Sequence, residues 1–556
     1  MQIEKLLDNK MFIISLFLLL SVSVTLPNHL NYPLPLHADE YDNLALANET
    51  VSKGMVTTYD PYAPGPEKSI YNNIDEPPVL TMVLAYEVFL SIPIMLANFG
   101  TTETIILFPI LMSFLLLIST FLLVEQLFKN RLAAIISSVF VLFTTANPTI
   151  LGYQLVVASS LGLALLPFLF YLLLKAISSK KYFLLFFAFL IFSSFFYPIT
   201  TTIVLFASSI FLILNPKILF EKWKEIFAGM AVFAIVVLLE IFALIASFSS
   251  TSLLALLQEH GPVALIAILD GLIQNLNFFN ISPLYNLANG AIPQDYITLP
   301  IAVLFLAALI AAIYITLKKQ KFSKKNPNHL LILPISFLLL IASLLIFSLS
   351  EINLPFLLRR GLLFLFYLTS LLSGITFWII YKYFAKKFPG KIVPIVAVAI
   401  ILISLSYFPF AAGDHFYRNI EPEQLPVIDW INENTPENTL ILSTPYLSKP
   451  INVLTGRKVV CTNETKVGCR PEHVLNNINY FLSDCQTQEK ILTKYYQADF
   501  IVKPKSIELV SGTMDLPELN CSFLQERFSV ESTKIYEVNL DCGPDELASP
   551  IISGCG

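Results

Sequence analysis

Apolar runs close to 20 residues long recur through the first three-quarters of this chain, and no other feature of the sequence restricts its fold as much. A run of that length crosses a hydrocarbon core of roughly 30 Å as an α-helix. In lipid, only helices and closed barrels satisfy their own backbone groups. Composition agrees. Of 556 residues, 55% are hydrophobic and 13% charged, against about 25% charged in soluble domains. The mean hydropathy is +0.70. The expected fold class is a polytopic α-helical membrane protein. The net charge of −5 is small, and no basic cluster interleaves with aromatics. Nucleic acid is therefore set aside as a partner.

The charged head MQIEKLLDNK precedes the apolar run MFIISLFLLLSVSVTL. This pair has the form of a signal peptide. No small-x-small cleavage site follows, so an uncleaved first helix is expected, with Lys5 and Lys10 holding the N-terminus inside. Residues 27–78 then form a polar outer loop. Further apolar segments lie at about 79–98, 102–124, 132–150, 155–177, 182–197, 199–214, 226–248, 297–317, 329–349, 355–380 and 392–410. The loop KKQKFSKKNPNH, with Lys318, Lys319, Lys321, Lys324 and Lys325, marks the cytoplasmic side. Working outward from it, residues 249–296 form a second outer loop and the C-terminal part is extracytoplasmic. Twelve segments are legible, but this orientation needs an odd number, so 11 or 13 spans are expected. Residues 1–412 make the membrane domain and 413–556 a separate domain. The expected location is the plasma membrane, with a cytoplasmic N-terminus.

All six cysteines (Cys461, Cys469, Cys485, Cys521, Cys542, Cys555) fall after residue 460. Their spacing fits no zinc pattern. An even number confined to one polar domain points to disulfides and an oxidising compartment. From about Asp414 the patterning becomes that of an α/β domain. PVIDWINENTP reads as a helix, NTLILST as a strand, VLTGRKVV as turn and strand. HVLNNINYFL and TQEKILTKYY have helical spacing, and ADFIVK and KIYEVNL read as strands.

The stretch HADEYDNLALANETVSKG follows the first apolar segment. Leu44, Ala47 and Val51 recur at helical spacing, so a short amphipathic helix starting near Asp39 and lying along the membrane surface is expected. Acids in a first turn suit the helix dipole, and Asp is a favoured cap. A carboxylate held there also has the chemistry of a general base toward an incoming hydroxyl. The two roles are compatible.

After HADEYD the loop continues through Glu49, a Gly turn and an Asp-Pro stretch to the Pro-Pro pair that opens the next span. This order resembles the GT-C membrane glycosyltransferases, in particular the branch of protein mannosyltransferases and lipid A aminoarabinose transferases. The resemblance covers the order of features over about residues 10–410, with the motif-level match in residues 37–80. DWINENTP…LTGRKVV…YYQADFIVK…KIYEV also looks like the extracytoplasmic domain of archaeal members. The resemblance implies an inverting enzyme that moves a sugar from a polyprenyl (dolichyl) monophosphate to an acceptor hydroxyl on a glycan, lipid or protein. Asp39 would be the catalytic base and Glu40 its supporting acid, with Asp42, Glu49 and Glu87 as further acids of the site. The chain departs from the pattern in two places. Glu76 stands where aminoarabinose transferases carry a phosphate-binding Lys, and Asp42 where they carry an Arg. The W-W-D-Y-G signature of oligosaccharyltransferases is absent, which argues against bulk N-glycosylation.

A lipid phosphate favours Arg, which donates two parallel hydrogen bonds. Arg359 and Arg360, at the outer mouth of a span, are the leading candidates to hold it, and Lys68 is a third. Snorkelling to headgroups or pairing with Glu351 would also explain the arginines. Glu87 and Glu240 lie inside apolar runs, where acids are expensive. No cofactor is expected, because the resembled branch works without metal. The D-E-x-D spacing leaves Mg²⁺ or Mn²⁺ open. The competing reading is a transporter or flippase for a lipid-linked or polar substrate, with Glu87 and Glu240 as coupling acids. The chain shows no inverted repeat of the kind that favours it.

Overall fold

The computed structural model describes residues 9–30, 32, 34–54, 84–97, 99–142, 144, 152–177, 179–247, 299–322, 327–350, 359–387, 419–460, 462, 471–493, 497–509, 512–530 and 532–540. The chain forms two compact units. One holds residues 1–34 and 105–416, the other residues 35–104 and 417–556. The last border lies at 416/417. The acidic stretch, which the sequence alone groups with the membrane part, belongs to the unit of the C-terminal domain.

The first unit is helical. Its elements are α1 (Lys10–Leu30), most of α4 (Thr101–Phe128), α5 (Arg131–Val141), α6 (Ala158–Ala176), α7 (Lys180–Phe196), α8 (Pro198–Ile213), α9 (Pro216–Ser247), α10 (Leu299–Phe322), α11 (Ile332–Ser350) and α12 (Arg359–Lys387). Among the described residues four helices are long and apolar enough to cross a membrane: Lys10–Pro27, Thr101–Phe128, Ala158–Ala176 and Leu363–Phe384. Shorter apolar helices accompany them. The expected segment at 392–410 and the loop at 249–296 lie outside the described residues.

Close approach and buried hydrogen bonds hold these helices together, as is usual where lipid supplies no hydrophobic driving force. A Cβ on Gly374 of α12 would stand 2.7 Å from the Ser137 Cα of α5, so only glycine permits that crossing. Thr120 of α4 and Tyr367 of α12 share a buried hydrogen bond of 3.2 Å. The Thr376 hydroxyl donates to the Ala307 carbonyl of α10 at 2.8 Å. The chain turns tightly at Tyr197-Pro198. Helix α7 ends at Phe196, and Pro198 opens α8 at a position whose N–H would have no helical partner.

In the second unit, α2 (Ala38–Lys53) and α3 (Leu84–Ala97) precede α13 (Leu425–Asn434), β1 (Leu440–Ser443), α14 (Pro445–Thr455), β2 (Lys458–Val459), α15 (Pro471–Leu482), α16 (Cys485–Ile491), β3 (Phe500–Pro504), the β4–β5 hairpin (Ser506–Leu509, Gly512–Asp515), β6 (Leu524–Val530) and β7 (Thr533–Val538). The main sheet has the order β2-β1-β3-β7-β6. β2, β1 and β3 run parallel, with Ile441 opposite Val459 and Phe500. β7 and β6 add on antiparallel. The helices between the parallel strands serve as crossovers. Leu442, Tyr480, Phe481, Leu492, Ile501 and Tyr536 are buried together beside the sheet.

Each expected strand and helix of this domain is present. Helix α14 is additional. Pro445 and Pro450 make its sequence look like a loop, yet Pro445 occupies a first-turn position and Pro450 lies inside. Pro450 has no N–H for the Tyr446 carbonyl one turn back. The Asn419 side-chain amide donates to that carbonyl instead, at 3.3 Å. The buried Arg457 then ties two helix ends together. Its guanidinium donates to the carbonyls of Thr435 (2.6 Å), Thr455 (2.6 Å) and Asn432 (3.3 Å), placing positive charge at the C-termini of α13 and α14.

Cys485 and Cys521 form a disulfide 36 residues apart in sequence, with a Cα–Cα distance of 5.4 Å. The other four cysteines lie outside the described residues. Closing a loop of this length restricts the unfolded chain by about 3–4 kcal/mol. Replacing both Cys485 and Cys521 with Ser is therefore expected to lower the thermal midpoint of the full-length protein by about 10 °C. Non-reducing peptide mapping and a thermal scan check this. An unchanged midpoint with the disulfide gone would show that the bond contributes nothing.

Candidate active site

The segment HADEYD opens α2, and the structure gives its residues different tasks. His37 is the N-cap, in extended backbone, and its Nδ1 accepts from the Asp39 N–H at 3.1 Å. Glu40, fully buried, reaches back so that one carboxylate oxygen accepts from the backbone N–H groups of Leu36 (2.7 Å) and His37 (3.0 Å). This is a capping box in which His takes the place of the usual Ser or Thr. The expectation of Asp as the cap is corrected: the helix begins one residue earlier, so Asp39 lies inside the first turn. Gly54, at φ +66°, ends the helix in the left-handed conformation that glycine adopts without cost.

Helix α2 is more fully buried than an amphipathic pattern implies. An amphipathic helix buries one face. Here Tyr41, Asp42, Leu44, Ala45, Leu46 and Ala47 are all buried. Successive buried residues mean that α2 is covered on several sides, and it packs against α3 and α14.

Asp42 and Glu49 are seven residues apart, and two helical turns put them on one face. Both pair with lysines of the C-terminal domain. Asp42 Oδ2 accepts from Lys449 Nζ at 2.9 Å, and Lys449 is fully buried on α14. Glu49 accepts from Lys458 Nζ of β2 at 3.3 Å and pairs with Lys53 at 2.7 Å. Asp39 lies in the first turn of α2, half-buried. Its side chain retains 25% exposure and lies 3.8 Å from His37 Nδ1. The helix N-terminus is a favourable place for its negative charge.

Helix α3 carries Glu87, which is buried. The adjacent Tyr86 lies within electrostatic reach of both Glu40 and Glu87. The structure thus places Asp39, Glu40, Asp42, Glu49 and Glu87 in one unit. Arg359 and Arg360 are the first two residues of α12, in the other unit. Glu240 is on α9. Lys68, Glu76, His260 and the Pro-Pro pair lie outside the described residues. Among the described residues no three His, Cys, Asp or Glu side chains converge as a metal-binding group.

Sequence reasoning passes over Lys449 and Lys458. Lys449 is itself fully buried, two residues from the buried Leu447 and Ile451 and so on another face of α14. A lysine there needs a buried partner.

The apolar helical unit and the α/β unit together have the fold of solved structures named as transferases. Among solved structures, the chain is similar to the apo form of the Archaeoglobus fulgidus oligosaccharyltransferase, with a TM-score of 0.52 and 15% identity over 88% of this chain and 69% of that one. It is similar to apo ArnT from Cupriavidus metallidurans, with a TM-score of 0.53 and 12% identity over 95% and 97%. It is also similar to the arabinofuranosyltransferase AftD from Mycobacteria, with a TM-score of 0.50 and 13% identity over 95% and 40%. No protein-family model and no curated protein matches the sequence.

Proposed function

We propose that this protein is an inverting glycosyltransferase that moves a sugar from a polyprenyl monophosphate to an acceptor hydroxyl at the outer face of the membrane. One observation carries the reading. Asp39 stands in the first turn of α2, half-buried, 3.8 Å from His37 Nδ1, where the helix N-terminus favours its negative charge. The solved relatives add support for the donor. One ArnT structure is bound to undecaprenyl phosphate, and one Archaeoglobus fulgidus oligosaccharyltransferase structure holds a dolichol-phosphate.

In this mechanism Asp39 accepts the acceptor's hydroxyl proton as its oxygen attacks the anomeric carbon. The carbon–oxygen bond to the phosphate breaks, and polyprenyl phosphate leaves with the electron pair. A single displacement inverts the anomeric centre. Arg359, Arg360 and Lys68 hold the phosphate of donor and product. Glycan, lipid and protein hydroxyls all fit the chemistry of the acceptor.

Membranes containing the protein, fed a panel of labelled polyprenyl-phosphate sugars and native membrane extract, are expected to transfer one sugar with inversion and to use no nucleotide sugar directly. Absence of transfer from every lipid-phosphate donor, combined with protein-dependent movement of one across the bilayer, would overturn the reading in favour of a flippase. The phosphate-holding role has its own test. Arg359→Ala combined with Arg360→Ala is expected to raise the KM for donor at least tenfold while kcat changes less than threefold, the pattern of a lost uniform binding contact. A kcat loss at constant KM would remove the arginines from phosphate binding.

A further inference from the structure

Three features of the second unit converge on helix α2. Asp42 is three residues beyond Asp39, nearly one helical turn, so whatever fixes Asp42 fixes the rotation of the turn that carries Asp39. The group that fixes it, Lys449, is 407 residues away in sequence, is fully buried and sits 2.9 Å from the Asp42 carboxylate. Two turns further along the same face, Glu49 meets Lys458 at 3.3 Å. Lys449 and Lys458 flank the end of α14 and the start of β2, where the Arg457 guanidinium holds the backbone to Thr435 and Asn432. The two lysines therefore stand on a braced segment, and α2 is held against it at two points.

We infer that Lys449 is a positioning residue of the transfer reaction: acting through Asp42, it sets the direction in which α2 presents Asp39. The C-terminal domain thereby serves as the part that orients the acid. This inference rests on the reading of Asp39 as the base. A buried ion pair is a weak source of net stability, but losing one partner strands the other charge. Its geometric consequence is specific. Catalytic groups lose rate steeply when displaced by about 1 Å, so a small rotation of α2 registers in kcat before it registers in binding.

The test uses the full-length protein in lipid nanodiscs, comparing wild type, Lys449→Met, Lys449→Arg, Asp42→Asn and the Asp42→Asn/Lys449→Met double variant. Two quantities are read: hydrogen exchange of residues 38–53, and kcat and KM for sugar transfer. Exchange of β1 and β3 reports whether the domain remains folded. Lys449→Met is expected to speed exchange in 38–53 at least tenfold with β1 and β3 unchanged, and to lower kcat at least tenfold while donor KM moves less than threefold. Lys449→Arg is expected to recover most of the rate. The double variant is expected to lose no more rate than either single one, because the two groups act as one. Unchanged exchange in 38–53, or additive losses in the double variant, would overturn the inference. So would failure of both Lys449→Met and Lys449→Arg to retain protected β1 and β3, since that would make Lys449 a requirement for folding instead. Exchange that responds as expected in a wild type that transfers no sugar would overturn both the catalytic reading and the positioning role, leaving the contact as a structural one.

Discussion

Asp39→Asn is expected to lower sugar transfer at least a hundredfold at unchanged protein level. The substitution preserves shape and removes the negative charge together with the ability to accept a proton. General base catalysis contributes roughly 10²–10⁴-fold, and the full factor is lost if Asp39 is the base. Little stability is at risk. The side chain is 25% exposed, and an acid in a first helical turn contributes about 0.3–1 kcal/mol through the dipole. Asp39→Glu keeps the carboxylate but moves it outward by one methylene, so an intermediate loss of about tenfold to a hundredfold is expected, set by misalignment. Initial rates in membranes with matched protein amounts check both. Equal transfer by wild type and Asp39→Asn would remove Asp39 from the chemistry and return attention to Glu87.

Glu40→Ala is expected to act through folding. The Glu40 carboxylate accepts from two backbone N–H groups at 2.7 and 3.0 Å in a fully buried position. Hydrogen bonds to a charged group contribute about 1.5–3 kcal/mol each, and buried donors left without an acceptor add to the cost. A destabilisation of about 3–5 kcal/mol follows, which corresponds to roughly 10 °C in the thermal midpoint of a unit this size. Glu40→Gln separates the structural role from a catalytic one. Both N–H groups point at the same oxygen, so the amide oxygen of Gln can receive both. Its stability loss is expected to stay within about 1–2 kcal/mol. If Glu40 acts only as the capping residue, Glu40→Gln keeps transfer within about threefold of wild type. A large kcat loss at a near-normal thermal midpoint would restore Glu40 as the supporting acid of the reaction.

These predictions draw on different amounts of sequence information. The apolar runs foretell the helices of the first unit, because the length needed to span a bilayer is a local property of composition. Helices α7 and α8 meet at Tyr197-Pro198 as their residues imply. In the C-terminal domain β1, β3 and β7 follow from short β-prone runs between turn residues. Helix α14 was hidden by Pro450, whose missing N–H leaves the Tyr446 carbonyl to the Asn419 amide, which belongs to another segment. The start of α2 was read within one or two residues, but its cap was not. His37 is an uncommon capping residue, and its role depends on the ring being turned toward the Asp39 N–H.

What the sequence alone determined is the membrane-helical class, the α/β character of the cysteine-bearing domain, and the position of an acidic helix start after the first span. Each follows from period, length or composition over a few consecutive residues. The partner of each acid was decided only by the tertiary structure. Asp39, Glu40 and Asp42 look nearly equivalent along the chain. They become different because the fold turns Glu40 onto the backbone of Leu36 and His37, and brings Lys449 to Asp42 across 407 residues. A buried charge requires a partner. Nothing local in a sequence identifies that partner when it arrives from a distant helix, because the pairing is created by packing.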